Sequence, residues 1–145
     1  PGTAFETRVL GTDRLIPVCT PGLRAKAAGT VLPLIGYPPE VFLGQVFTRM
    51  ITPRLPPGTS TAPIAETALT LAILQLALSG IGIAWLPQSL VIEPLAQGQL
   101  MRLDDTLPAQ DLTIRMVRLS EAQNDSADQV WHHLADHLDL GHPDG

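Results

Sequence analysis

The sequence predicts an α/β fold, and three observations support this prediction. Short apolar runs of strand length alternate along the chain with segments whose apolar residues recur at helical spacing. Twelve Gly and fourteen Pro residues mark the breaks between these segments. The chain has 145 residues and is 45% apolar, which is enough material for the core of one ordinary domain. Alternation of strands and helices favours parallel strand pairing with right-handed crossovers.

Six apolar runs predict the strands of the sheet. Each run is short and is bounded by Gly, Pro or polar turn residues, as strands are. The predicted strands are residues 14–18, 32–37, 60–64, 82–86, 99–103 and 112–119. The last run alternates apolar and polar residues imperfectly, which is typical of a half-exposed strand.

Helical spacing predicts four helices and one short helical turn. The predicted helices are residues 41–51, 66–79, 88–97 and 126–138, and the turn is 23–29. The second helix is the most strongly indicated, because Gly80 stands where a left-handed residue would end it. Pro38 and Pro39 precede the first helix, where proline is tolerated, and the carboxylate of Glu40 would suit the helix dipole.

The charge and cysteine content of the chain argue against several classes of protein. Nine Lys and Arg residues against fourteen Asp and Glu give a net charge of −5. No basic block exists to follow a phosphate backbone, so the chain by itself is expected to bind nucleic acid poorly. The single cysteine, Cys19, cannot form an internal disulfide, and zinc sites that need two or four cysteines are excluded. Its place at the end of a predicted strand indicates a buried, inert thiol.

One uncharged stretch, residues 67–92, is long enough to span a bilayer. Gly80 and Gly82 interrupt it, and its polar side chains fall within about half of a helical wheel. Glutamates flank it, whereas Lys and Arg normally set membrane orientation. We therefore expect no membrane span.

No catalytic set is apparent in the sequence. It contains no Gly-x-Ser-x-Gly, no phosphate-binding Gly-rich loop with Lys, and no His-Glu-x-x-His. His133 and His137 share a helix face, as do His132 and Asp136, but no third metal ligand accompanies them. A solvated helix face is the expectation, with no metal and no cofactor. An enzyme on an α/β scaffold is the least favoured class, because function has to be argued from a site.

The order of the elements resembles that of LysR-type transcriptional regulators. Residues 78–87 (Leu-Ser-Gly-Ile-Gly-Ile-Ala-Trp-Leu-Pro) resemble the core of the family, in which a helix is followed by Gly-x-Gly, a strand and Leu-Pro. Residues 95–100 (Leu-Ala-Gln-Gly-Gln-Leu) resemble its L-x-x-G-x-L element. Three further segments are similar to its crossover strand (13–18), its next strand (33–35) and its last helix (126–134). The resemblance covers about residues 5–138. Within the family, the context of Cys19 and residues 82–87 looks most like a subgroup associated with hypochlorite stress.

The resemblance implies a Rossmann-like lobe of a type 2 periplasmic-binding-protein fold. The second lobe would be complete, and the first lobe would be represented only by its C-terminal part. Residues 1–145 would then form a partial effector-binding domain, with the second lobe at about 20–87 and with 5–19 and 88–140 crossing to or belonging to the first lobe. The N-terminal winged helix-turn-helix would be absent. The acidic charge balance and the missing initiator Met agree with a piece of a longer chain, without a signal peptide.

In function, the resemblance implies the effector-sensing and dimerisation module of a bacterial, cytoplasmic transcription regulator. A small-molecule effector (an organic acid, an amino acid or an oxidant signal) would bind between the two lobes of a homodimer. DNA would be contacted only through the missing winged helix-turn-helix, and a membrane not at all. The alternative is an extracytoplasmic solute-binding protein of the same two-lobed fold, which an export signal in the full-length gene would favour.

The resemblance also implies where the effector would bind. The family's ligands need backbone N–H groups at helix starts to hold an anion, and residues 38–42 and 65–67 are the two candidate helix starts. The expected effector-binding residues are Tyr37, Pro39, Glu40, Val41, Phe42, Thr67 and Ile83. Glu40 argues against an anionic ligand, because its carboxylate would repel one. Two structural alternatives remain open: a proline-capped helix start with a packed aromatic ring, and threonines (Thr67, Thr70) that bond their own backbone.

Overall fold

The structure is a computed structural model that describes the backbone of residues 5–119 and the side chains of residues 6–117. The strands are β1 (Phe5–Cys19), β2 (Val31–Gly36), β3 (Ser60–Glu66), β4 (Ile83–Pro87), β5 (Met101–Arg102) and β6 (Gln110–Leu119). The α-helices are α1 (Arg24–Ala27), α2 (Phe42–Val46), α3 (Thr70–Leu78) and α4 (Ile92–Ala96). Single 3₁₀ turns lie at Pro21–Leu23, Thr52–Arg54 and Gln88–Leu90, and a π-helical turn lies at Phe47–Ile51. The helix predicted at residues 126–138 lies outside the described residues.

The chain divides into two compact units. The larger unit is Arg14–Gln110, and the smaller comprises the chain before Arg14 and after Gln110. Residues 88–110 thus group with the larger unit. The assignment of residues 20–87 to a second lobe, and of the flanking segments to a first lobe, stays a prediction.

The strand order β3-β2-β4-β1-β5 gives the larger unit its sheet, and β6 pairs with β1 outside this path. Strand β2 runs parallel to both β3 and β4, whereas β1 runs antiparallel to β4 and β5. The predicted α/β class is confirmed, and parallel pairing holds for the three strands that helices connect.

The core of the larger unit lies around the central strands. In β4 the four residues Ile83 to Leu86 are all buried, with Trp85 only 1% exposed. A strand buried on both faces reads as a continuous apolar run, as this one does. One cluster of buried side chains joins β1, β2 and β4 to α3, through residues such as Ile16, Ile35 and Ile73.

The edge strand β3 is longer than predicted and contains an irregularity. Pro63 pairs with Leu34, and the next pair is Ala65 with Ile35, so that Ile64 is the extra residue of a bulge. Proline is tolerated in this position because an edge strand needs fewer ladder hydrogen bonds. The bulge allows pairing to continue to Glu66, two residues beyond the predicted end.

The prediction that the second helix starts at residue 66 is wrong. Strand pairing continues through that point, because the Thr67 amide donates to the Gly36 carbonyl at 3.1 Å. The hydroxyl of Thr67 then accepts the Leu69 amide at 3.2 Å, which turns the chain. Helix α3 begins only at Thr70 and ends where predicted, with Gly80 at φ 79°.

Three other element bounds also differ from the predictions. Strand β1 begins at Phe5 instead of residue 14 and has β6 as an additional partner. Pro87 ends β4 instead of starting a helix, and a 3₁₀ turn precedes α4. Strand β5 is short because the amides of Gln99 and Leu100 both donate to Pro94, closing the end of α4 before the strand can begin.

The helix predicted at residues 41–51 is present as two consecutive segments. Helix α2 begins at Phe42 and passes into the π-helical turn at Phe47–Ile51. The Thr52 amide closes the wider turn on the Phe47 carbonyl, and the Thr52 hydroxyl lies 3.3 Å from the same oxygen. None of the described helices has the length and apolarity needed to cross a bilayer.

Candidate functional site

The carboxyl ends of the three parallel strands define the candidate site. In open α/β sheets, ligands bind beyond these ends, where neighbouring connections diverge. Strands β2, β3 and β4 end at Gly36, Glu66 and Pro87. The segments that follow β2 and β3 hold six of the seven predicted effector-binding residues. We call residues 37–42 and 67–71 together the carboxyl edge.

Tyr37 is a structural tie within this edge. Its side chain is 8% exposed, and its hydroxyl donates to the Trp85 carbonyl at 2.8 Å. Because that bond uses the only phenol proton, the hydrogen bond with the Thr70 side chain has Thr70 as donor. Burial raises the pKa of Tyr37 above its ordinary value. The phenol therefore joins β2, β4 and α3, and has no hydrogen left to offer a ligand.

The turn after β2 is shaped by a close backbone approach. The Val41 amide donates to the Pro38 carbonyl at 3.3 Å, and α2 begins at Phe42, within the expected helix start at residues 38–42 and one residue after the predicted first helical residue. A Cβ atom on Gly44 would overlap the Pro38 carbonyl oxygen. Glycine at position 44 thus lets the proline turn pack onto the first turn of the helix.

The predicted residues of this turn differ in exposure. Pro39 and Glu40 are exposed, Val41 is half-buried and packs on the core cluster, and Phe42 is 67% exposed. Helix α2 therefore starts beside an apolar ring that faces solvent.

Thr67 follows the alternative in which a threonine bonds its own backbone. Its hydroxyl accepts the Leu69 amide, as described above, and its side chain is half-buried. The helix start expected at residues 65–67 is therefore wrong. The residues that this turn presents to solvent are Leu69, 69% exposed, and Leu71, 65% exposed. Sequence reasoning missed both leucines, because an apolar helix gives no sign of which leucine faces out.

Ile83 lies apart from the other predicted site residues. Its side chain has no exposed surface and belongs to the core. Close packing continues next to it, since a Cβ on Gly82 would lie 2.7 Å from Ile64 Cδ1 and 3.0 Å from the Pro33 carbonyl. The burial of Ile83 gives no support to direct ligand contact, and that role stays a prediction.

Trp85 connects the carboxyl edge to the segment where the chain leaves the larger unit. Its carbonyl accepts from Tyr37, and its indole Nε1 donates to the Pro108 carbonyl at 2.8 Å. The ring of Phe47 packs edge-on against the indole, with centroids 5.1 Å apart. A tryptophan in an apolar strand signals that its N–H needs a buried acceptor, but sequence alone does not identify Pro108.

Arg54 fixes the same segment from another side. Its Nε donates to the Met50 carbonyl at 2.6 Å, while its Nη2 donates to the Ala109 carbonyl at 2.6 Å and to Gln110 Oε1 at 3.0 Å. Together, Trp85 and Arg54 hold residues 108–110, next to the boundary of the two units. Sequence reasoning missed this role of Arg54.

The described residues contain no cluster of side chains suited to a metal ion, and the histidines at 132, 133 and 137 lie outside them. Cys19 is fully buried, and burial raises the pKa of its thiol, which disfavours the reactive thiolate. The Asp104 carboxylate pairs with Arg102 at 2.7 Å, and this partner lowers its pKa. Among the described residues, the carboxyl edge presents mainly apolar side chains to solvent and no pair of groups suited to proton transfer.

Comparison with known proteins identifies the family of the chain. The family model of the LysR substrate binding domain matches residues 1–139. The HTH domain-truncated transcriptional regulator QseD of Escherichia coli O157:H7 is 26% identical over 134 residues, covering 90% of this chain and 54% of that protein. The chain thus spans about half the length of this curated relative, which is named a transcriptional regulator.

Solved structures share the fold. The bromide-bound regulatory domain of HypT from Salmonella typhimurium matches with a TM-score of 0.82 and 25% identity, covering 94% of this chain and 66% of that one. Full-length LysG of Corynebacterium glutamicum with its bound effector Arg matches with a TM-score of 0.75 and 18% identity, covering 95% and 48%. The match of the family model over nearly the whole chain decides the assignment: this chain belongs to the LysR substrate-binding domain family.

Proposed function

We propose that the chain is the effector-sensing and dimerisation module of a bacterial LysR-type transcription regulator, and that a small molecule binds between its two lobes. The carboxyl edge supplies one wall of that site. The observation that carries the proposal is the exposure of Phe42 and Leu69 at two helix starts beyond adjacent parallel strands. Single exposed apolar residues need no explanation, but a group of them at the ligand-binding edge of an α/β sheet does.

The polar groups of this edge indicate the kind of effector. The hydroxyls of Tyr37 and Thr67 are occupied by the protein's own hydrogen bonds. Apolar surface remains for recognition. The exposed carboxylate of Glu40 opposes a ligand with a high negative charge. The proposed effector is therefore a small organic acid or amino acid that lays an apolar body on Phe42 and Leu69. The fold tolerates this kind of ligand, since LysG holds arginine as its effector.

An oxidant is the second candidate signal, because HypT is a hypochlorite-specific regulator and matches this chain at 25% identity. The buried thiol of Cys19 does not support it. Met50, 49% exposed, is the sulfur that an oxidant would reach most easily among those the structure describes. If methionine oxidation is the signal, treatment with hypochlorite changes the oligomeric state of the chain, and replacing Met50 by Leu prevents the change. An unchanged state after oxidation of Met50 contradicts this candidate.

A ligand-dependent thermal shift tests the proposed site. The probes are aliphatic and aromatic carboxylates and the twenty amino acids, tested on this chain. We expect one class to raise the melting temperature in a concentration-dependent way, and Phe42→Ala and Leu69→Ala to abolish the rise. Val31→Ala is the matched control, because Val31 is an exposed apolar residue (58%) at the opposite, amino end of β2. A flat response to all probes contradicts the proposal. For the carboxylates, which carry a single charge, a rise that survives both substitutions contradicts it as well.

Dimerisation is proposed from the exposed side chains of α3. Leu71, on the first turn of this helix, and Ile81, just after it, are 65% and 43% exposed. Apolar surface of this kind at a helix is suited to self-association. Light scattering at micromolar concentration should give the mass of a dimer, and Leu71→Asp should give a monomer. A monomer in the unsubstituted chain contradicts this part of the proposal.

The remaining parts of the proposal concern the whole regulator. Effector binding would shift the population of conformations that a separate DNA-binding domain experiences. The same regulator would act in the cytoplasm, where the DNA is. In this chain Trp85 and Arg54 hold residues 108–110 at the boundary of the larger unit, which suits them to couple the carboxyl edge to the rest of the domain.

A further inference from the structure

A cavity lies at the amino ends of β2 and β3, at the opposite edge of the sheet from the proposed effector wall. Its volume is about 360 Å³, within the range of small-ligand pockets. It is lined by the end of α1 and the residues before β2, by the turn before β3, and by the segment from β5 to residue 107. All lining residues belong to the larger unit, so this cavity needs nothing from a second lobe.

The floor and rim of the cavity differ in chemistry. The apolar lining includes the buried side chains of Leu103 and Leu107 and the half-buried side chain of Met101. Arg24 and Asp105 are exposed and carry opposite charges on the same cavity. Neither of them forms an ion pair with another residue in the described part of the chain. The neighbouring Asp104, by contrast, is already neutralised by Arg102 at 2.7 Å.

The backbone that carries these groups is held in closed turns. The Leu107 amide donates to the Leu103 carbonyl at 2.9 Å, the Ala28 amide to the Arg24 carbonyl at 3.3 Å, and the Thr59 amide to the Pro56 carbonyl at 2.9 Å. The Leu103 amide is itself bound to β1, at the Pro17 carbonyl, at 2.9 Å. Binding a ligand would therefore cost little ordering of the backbone.

We propose that this cavity binds a small zwitterion with an apolar body. The carboxylate would pair with the Arg24 guanidinium, the ammonium with the Asp105 carboxylate, and the apolar body would cover Met101 and Leu107. The two protein charges line one cavity without pairing, so a ligand that carries both charges completes both interactions at once. The proposal is independent of the effector site at the carboxyl edge.

Ligand-observed NMR with three related probes tests the proposal on this chain. L-norleucine carries both charges, hexanoate lacks the amine, and pentylamine lacks the carboxylate. We expect norleucine to bind about tenfold more tightly than either of the other two, because each lost charge removes one charge-assisted hydrogen bond. Equal binding of all three, or no binding of norleucine, overturns the proposal.

Substitutions locate the binding. Arg24→Gln and Asp105→Asn should each weaken norleucine binding about tenfold, and Ala28→Trp should abolish it by filling the cavity. Lys26→Gln is the matched control, since Lys26 is an exposed cation on the same helix that does not line the cavity. Phe42→Ala should leave norleucine binding unchanged. If Phe42→Ala abolishes binding and Arg24→Gln does not, norleucine occupies the carboxyl edge, which overturns this proposal and supports the proposed function.

Discussion

The surroundings of Trp85 and the carboxyl edge differ in how far their side chains are buried. Trp85 is buried, the half-buried ring of Phe47 packs against it, and its polar groups have partners: the indole N–H binds Pro108 and the carbonyl accepts from Tyr37. At the carboxyl edge, Phe42 and Leu69 each leave about two thirds of their side-chain surface in water. Stability therefore resides in the first region, whereas the exposed side chains of Phe42 and Leu69 contribute little to it and are free for recognition.

The largest expected effect is the removal of Trp85. Trp85→Ala should lower the free energy of unfolding by about 3–5 kcal/mol, because it leaves a cavity under Phe47 and removes the hydrogen bond to Pro108. Trp85→Phe keeps an aromatic ring in place and should lower the free energy of unfolding by about 1–3 kcal/mol, chiefly because the Pro108 carbonyl loses its partner. Urea denaturation measures both values. Equal losses for the two substitutions would show that packing against the indole contributes nothing.

The second largest loss of stability is expected at Gly44, where α2 packs against the turn at Pro38. Gly44→Ala places a methyl group on the Pro38 carbonyl, so the proline turn must move, and we expect a loss of about 1–3 kcal/mol. Gly22→Ala is the control, since a Cβ there meets no atom within 4 Å. If both variants have the same denaturation midpoint, the contact between the turn and α2 is not required for the fold.

Tyr37 links the two regions, and its effect depends on pH. Tyr37→Phe leaves the Trp85 carbonyl and the Thr70 hydroxyl without a partner and should cost about 1–3 kcal/mol near neutral pH. Burial holds the folded pKa of Tyr37 above the unfolded value of ~10. The stability that the neutral phenol contributes is therefore fully present below that pH and is lost as the pH rises above it. The difference in free energy of unfolding between wild type and Tyr37→Phe should become smaller in alkaline solution.

Absorbance of the phenolate provides a direct check on this prediction. Tyr37 is the only tyrosine in the chain, so a titration reports on this residue alone. Ionisation of the folded protein near the ordinary pKa of a tyrosine would mean that the hydroxyl is not buried against Trp85. A gap that stays constant with pH would lead to the same conclusion.

The two regions also differ in how far the sequence determined them. The burial of residues 83–86 follows from a continuous apolar run, and the end of α3 follows from Gly80. The start of α3 could not be predicted in the same way, because the local sequence at Thr67 is compatible with both a helix and a turn. One hydrogen bond, from the Leu69 amide to the Thr67 hydroxyl, accompanies the turn. That choice depends on β3 continuing its pairing with β2, which is a tertiary interaction.

The candidate site shows the same limit. Residues 37–42 follow a strand and precede a helix, as the sequence predicts, while their role as effector-binding residues stays a prediction. Which of their side chains face solvent depends on packing: the tyrosine, the most ligand-like member, turns inward to Trp85, whereas Phe42 turns outward. Arg54 was missed because its acceptors lie 55 and 56 residues further along the chain. No local pattern carries information on so distant a partner.

The smallest expected effect on stability belongs to the two most exposed side chains of the carboxyl edge. Phe42→Ala and Leu69→Ala remove side chains that are 67% and 69% exposed, so each should change the free energy of unfolding by no more than about 0.5 kcal/mol. The same substitutions should abolish the thermal shift produced by an effector, because they remove its apolar contact surface. This combination, no loss of stability and complete loss of response, distinguishes a recognition surface from a packing surface. A loss of stability comparable to that of Trp85→Phe would show that the two side chains are covered in solution, and would assign the edge to the core of the protein instead of to its ligand.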